Sequence, residues 1–132
     1  LNAIKDRALE LVKGQSYDQL MAMISEVYDH NIKAKVWPET ARIAQQHIEA
    51  GREVWIISAA PQEMGEEIAK QLGLTGALGT KLKHVDGILT GEIDGKPLHG
   101  KQKAKAIKKL QDKTAEELSK ATEAETSGED SK

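Results

Sequence analysis

A chain of 132 residues with a formal net charge of −2 can build one domain with a core, or part of a larger one. It carries no basic field of the kind that draws nucleic acid or an anionic membrane. The absence of cysteine excludes disulfides, thiolate metal sites and a cysteine nucleophile, and suits a reducing cytoplasm. No stretch reads as a signal peptide, and no apolar run approaches the roughly 18 residues of a membrane span. With two Trp, two Tyr and no Phe, the core has to be aliphatic.

Residues 1–35 read as helical. "LNAIKDRALELVKG" sets Leu1, Ile4, Ala8 and Leu11 on one face, and Gly14 is a C-terminal stop. Ser16 then offers an N-cap to "YDQLMAMISEVYDHNI", where Tyr17, Leu20, Met21, Ile24, Val27 and Tyr28 recur at three- and four-residue spacing. Two such helices joined by a short turn make a helical hairpin, whose apolar stripe faces either a core or, as a lid, a site.

Residues 36–111 alternate between strand and helix. Pro38 suits the first turn of a helix that Gly51 ends. "EVWIIS" is apolar on both faces, the pattern of a central strand in a parallel sheet. Pro61 opens the next helix, with Met64, Ile68 and Leu72 inward and Gly73 behind. "LKHVDGILTGEI" reads as a hairpin about Asp86-Gly87. A last helix runs from Lys101 to about Leu110, with Ala104, Ile107 and Leu110 inward and lysines outward. The order is that of a layered α/β sheet. Residues 112–132 hold seven acids and three lysines with Leu118 the only large apolar residue, the composition of a disordered acidic tail with some helix near Thr114 to Ala121.

Among groups able to do chemistry, His30, His47, His84 and His99 share no short metal-ligand spacing. No phosphate-binding glycine loop and no G-x-S-x-G elbow occur. Ser58 is the notable residue. At the carboxyl end of a parallel strand, its hydroxyl and the N–H groups of Ala59 and the next turn lie beside a helix N-terminus, where anions bind. The alternative is that Ser58 only caps that helix. Lys103 falls in a first helical turn, where a cation opposes the dipole unless an anion is also present; the alternative is a solvated lysine face.

Taken in order, "AGREVWIISAAPQEMGEEIAKQLGL", "DGILTGEI" and "GKQKAKAI" resemble the haloacid dehalogenase (HAD) superfamily, in its phosphoserine-phosphatase-like subfamily, over about half of the chain. The resemblance implies a partial HAD-like, Rossmannoid parallel sheet with flanking helices, a β-hairpin and an N-terminal helical cap segment. It implies phosphomonoester hydrolysis of a small phosphorylated metabolite in the cytoplasm, with no nucleic-acid or membrane partner. It gives Ser58 the role of binding the transferring phosphoryl group, beside the Ala59 N–H noted above, and gives Lys103 the role of neutralising the phosphoryl and the nucleophile. The family's nucleophile is the first aspartate of D-x-D-x-T, and its Mg²⁺ is held by carboxylates of that motif and of a later acidic one. The chain has no two aspartates spaced by one residue, and Glu129 and Asp130 in "SGEDSK" follow no strand. The expectation is therefore an incomplete phosphatase without its own Mg²⁺ ligands, inactive alone. The alternative is a non-catalytic, degenerate domain that binds a phosphorylated ligand or a protein partner.

Overall fold

A computed structural model describes residues 2–129 of the chain. They form two compact units, one ending at His99 and the other beginning at Gly100. In the first, helices α1 (Asn2–Val12) and α2 (Tyr17–Val27) are followed by a π-helical turn, Tyr28–Ile32, and a 3₁₀ turn, Lys33–Lys35. Then come α3 (Pro38–Glu49), β1 (Trp55–Pro61), α4 (Gln62–Leu72), β2 (Gly76–Val85) and β3 (Ile88–Asp94). The second unit is the helix α5 (Lys101–Glu129). The architecture is α/β, as the element order implied.

Local chemistry explains where these elements start. Ser16 caps α2 by accepting from the N–H of Gln19 at 3.1 Å, and the Gln19 side chain accepts from the N–H of Ser16 at 3.2 Å. This reciprocal pair satisfies two N–H groups that a helix end otherwise leaves open. Pro38 is the first residue of α3, and Gly51 follows it at φ 80°. Asp86 (φ 52°) and Gly87 (φ 77°) form the tight turn of the β2–β3 hairpin, in the left-handed region that an Asp-Gly pair tolerates.

The sheet has the order β1-β2-β3. β2 serves both neighbours: Gly76 to Leu78 run parallel to Trp55 to Ile57, and Lys81 to Val85 pair antiparallel with β3. The turn between α1 and α2 is stitched to the hairpin. The N–H groups of Gly14 and Tyr17 donate to Leu89 and Gly87, and that of Leu89 donates to Gln15, at 2.7–2.9 Å. Leu20, Ile24 and Leu89 form the buried centre, with Val12, Tyr17, Met64 and Leu82 against it. The apolar stripe of α2 therefore faces a core.

Several expectations need correction. Leu11 is 70 % exposed, and the inward positions of α1 are Leu9 and Val12, one step round from the expected face; the side chains of Leu1 and Ile4 lie outside the described residues. The strand β1 continues three residues past Ser58, and its residues, apart from the exposed Ala59, are half-buried at the edge of the sheet, where the apolar pattern suggested a central strand. On α4 the fully buried positions are Glu63, Gly65, Glu67 and Ala69, whereas Met64, Ile68 and Leu72 are half-buried. The reason is contact distance: a Cβ on Gly65 would stand 3.0 Å from that of Ala77, so small residues bring α4 onto β2. Finally, α5 does not stop near Leu110. It runs to Glu129; Asp130, Ser131 and Lys132 lie outside the described residues.

Candidate functional site

The end of β1 is irregular, and the irregularity has a structural cause. Pairing holds at Ile57 with Leu78 and resumes at Pro61 with Thr80, so Ser58, Ala59 and Ala60 oppose the single residue Gly79. The extra residues bow out from the ladder. Gly79 permits the close approach that remains, since a Cβ there would lie 2.7 Å from the Ala60 carbonyl oxygen. Gln62 closes the gap. Its Oε1 accepts from the Gly79 N–H and its Nε2 donates to the Ala77 carbonyl, both at 2.7 Å. A side-chain amide thus replaces the strand peptide that the bow removes. Thr80 secures the other side: its hydroxyl donates to the Ala59 carbonyl at 2.7 Å and accepts from the Leu98 N–H at 3.0 Å.

Ser58 sits at the start of the bow. Its Oγ accepts from the Ala60 N–H at 3.1 Å, and no acceptor among the described residues takes its proton. It does not cap α4, which begins at Gln62 behind Pro61 with no side-chain cap. Pro61 is the N-cap residue itself, one position earlier than expected. The strand end thus combines a hydroxyl with a free proton and a helix start with open N–H groups. Ala59 is exposed beside Ser58. Lys103 lies in the first turn of α5, in the second unit; its N–H donates to the Gly100 carbonyl at 3.1 Å, and that turn contains no acid to balance it.

A cavity of about 340 Å³ in the first unit adjoins the strand end. Ala59, Pro61 and Thr80 line it from the sheet, Leu9, Val12 and Leu20 from the helical hairpin. Ser58 is not among its lining residues.

Sequence reasoning passed over four polar residues here. Gln62 and Thr80 carry the hydrogen bonds that hold the bow, and Glu63 and Glu67 are buried acids on the inner face of α4. Glu67 accepts from Gln71 Nε2 at 2.9 Å. Glu63 Oε1 accepts from the Tyr17 hydroxyl at 3.2 Å, while Oε2 is buried with no hydrogen-bond partner. Burial, and then the Glu63 charge, push the Tyr17 phenol above its ordinary range. The available signal was the i, i+4 spacing of Glu63 and Glu67 around Gly65, which puts two acids on the face that the small residues mark as close-packed.

The histidines play separate parts: His47 accepts from Arg52 Nε at 2.9 Å, His84 packs 5.1 Å from the Tyr17 ring, and His99 lines the cavity. Among the described residues no group of three acids or histidines is placed to hold a metal ion. No helix among them is long and apolar enough to cross a membrane.

Comparison with known proteins gives a consistent answer. A phosphoserine phosphatase, SerB1, of Mycobacterium tuberculosis strain H37Rv is 46% identical over 104 residues, which are 79% of this chain and 34% of that protein. A putative hydrolase of Mycobacterium leprae strain TN matches at 46% over 104 residues, 79% of this chain and 35% of the relative. The chain thus spans about a third of the length of the curated relatives it matches. A crystal structure of a protein of unknown function from Bordetella pertussis Tohama I shares the fold, with a TM-score of 0.72 at 22% identity, over 80% of this chain and 48% of that one. The profile of the haloacid dehalogenase-like hydrolases matches residues 2–123, so the chain belongs to that family, among its phosphatase-like members.

Proposed function

We propose that the end of β1 is a phosphoryl-binding site of a phosphomonoester hydrolase of the phosphoserine-phosphatase-like kind, acting on a small phosphorylated metabolite in the cytoplasm. The observation that carries the reading is the Ser58 hydroxyl: its lone pair is taken by the Ala60 N–H at 3.1 Å, which orients the remaining proton for an outside oxygen. The open N–H groups at the start of α4 and the Ala59 backbone favour the same negative charge. Lys103 receives the neutralising role from the G-x-x-K resemblance, with a lysine in a first helical turn as its support. Catalysis of this class rests on positioning and charge neutralisation, which a hydroxyl donor, backbone N–H groups and an ammonium supply.

Titration with inorganic phosphate, followed by amide chemical shifts, tests the reading. Ser58→Ala and Lys103→Ala are each expected to weaken binding about 10-fold or more, since a hydrogen bond to a charged group contributes about 1.5–3 kcal/mol. Unchanged affinity in both variants overturns it.

A second reading has its own observation. The sequence contains no pair of aspartates spaced by one residue, and the described residues contain no metal-binding cluster, which favours a non-catalytic domain that binds a phosphorylated ligand or a protein partner. Neither reading expects turnover from these 132 residues alone. Magnesium-dependent hydrolysis of p-nitrophenyl phosphate by the pure protein, abolished by a single carboxylate substitution, would refute that shared expectation.

A further inference from the structure

We infer that the ester group accommodated beside the phosphoryl site is uncharged and largely apolar, which rests on the phosphoryl reading of Ser58 and adds a substrate class to it. The cavity of about 340 Å³ supplies the argument. Its wall includes Ala59, the residue after Ser58, and Pro61, the N-cap of α4, so the cavity reaches two residues of the proposed phosphoryl site.

The lining chemistry then selects the occupant. Leu9, Val12, Leu20, Leu82 and Ile93 make most of the wall, and among the described residues no Asp, Glu, Lys or Arg lines it. Among the same residues Thr80 and His99 are its side chains able to hydrogen-bond. The Thr80 hydroxyl is buried and already engaged, donating to the Ala59 carbonyl and accepting from the Leu98 N–H. His99 is exposed. An ammonium and a carboxylate, as on O-phosphoserine, would have to shed water here with no charged partner, which is strongly unfavourable. An apolar group gains by the same transfer. The size is also adequate: a cavity of about 150 Å³ suffices for benzene, so this one holds a benzyl group or a short alkyl chain.

The experiment uses the 132-residue chain and three probes, benzyl phosphate, O-phospho-L-serine and inorganic phosphate, followed by calorimetry and amide shifts. Benzyl phosphate is expected to bind at least about 10-fold tighter than either of the others and to move the resonances of Ala59, Thr80 and Leu82. Ala8→Phe, at an exposed α1 position on the cavity wall where the helix tolerates it, is expected to shrink the benzyl-over-inorganic preference to within about 2-fold. O-phosphoserine binding as tightly as benzyl phosphate overturns the inference and leaves the phosphoryl reading standing. Failure of all three probes to bind overturns both.

Discussion

Replacing Gly79 by alanine tests whether the bow at the end of β1 is held by close backbone approach. The new Cβ would lie 2.7 Å from the Ala60 carbonyl oxygen, 2.8 Å from Gln62 Cα and 2.9 Å from Gln62 N. All three are backbone atoms, and all are well inside the roughly 3.5 Å at which non-bonded heavy atoms sit comfortably. No rotamer change relieves them, so the turn has to move away from β2. Movement lengthens the Gln62 bonds to the Gly79 N–H and the Ala77 carbonyl, now 2.7 Å each, which contribute about 1 kcal/mol apiece. Overpacking adds about 1–3 kcal/mol. The expected loss is therefore about 3–5 kcal/mol, a large part of the roughly 5–15 kcal/mol that holds a domain together. Gly65→Ala is the control. Its Cβ meets one side-chain methyl at 3.0 Å and gains about 0.8–1 kcal/mol of helix propensity, so its net change is expected within about 1 kcal/mol of zero. Urea unfolding reads both, and amide shifts read the turn. Equal stability of the two variants, or shifts in Gly79→Ala that spare Ser58 to Gln62, would refute the argument.

Gln62→Ala removes both bridging bonds and is expected to lose about 1–3 kcal/mol by urea unfolding, with Gln62→Glu intermediate because it keeps an acceptor for the Gly79 N–H. Tyr17→Phe leaves both Glu63 oxygens without a donor and is expected to cost about 1–3 kcal/mol at neutral pH by the same measurement. Because the Tyr17 phenol is raised, the folded chain keeps that proton longer than the unfolded one; the contribution is intact below pH about 10 and is lost as pH rises through the folded value. The wild-type protein should therefore lose more stability between pH 9 and pH 11, on the order of those limits, than Tyr17→Phe does. Residues 112–129 are expected to move on the nanosecond scale, read as amide order parameters falling along α5; values equal to those of β1 would refute this.

What the sequence made legible was punctuation and chemistry that acts locally. The Ser16 cap, the Gly51 stop and the Asp86-Gly87 turn depend on a few adjacent residues, and each is where the pattern put it. What it hid depends on contacts across the chain. The hairpin expected from Leu82 onward leaves "TGALG" without an element, yet Gly76 and Gly79 are strand residues. A Cβ on Gly76 would stand 2.7 Å from the Trp55 ring, and one on Gly79 would stand equally close to the Ala60 carbonyl oxygen. Close approach to a neighbouring strand uses the same glycines as a turn. The long α5 was hidden for another reason. Low hydrophobicity speaks against a packed core, not against a helix, and 101–126 contain no Gly or Pro and many strong helix formers. Glu116 and Lys120 pair at 2.8 Å, and Thr114 and Thr122 return their hydroxyls to carbonyls four residues back. For the site, Ser58 stood out through its place after an apolar run, while Gln62 and Thr80 did not, because their partners lie 15–21 residues away.

The strand end also explains why a cation belongs with Ser58 in the proposed site. A helix N-terminus supplies about half a unit of positive charge, and α4 already has Glu63 in its first turn. That side chain is buried, with the Tyr17 hydroxyl on one oxygen and nothing on the other. It draws on the same dipole that a phosphoryl group would use. A doubly charged phosphate at Ser58 would then meet a hydroxyl and backbone N–H groups against a nearby acid, a poor balance in a partly dry place. One ammonium would reverse the sign of that balance, the role proposed for Lys103. The bow positions the hydroxyl and Gln62 fixes the bow, so under the proposed reading the charge that holds a phosphate has to come from outside the strand end.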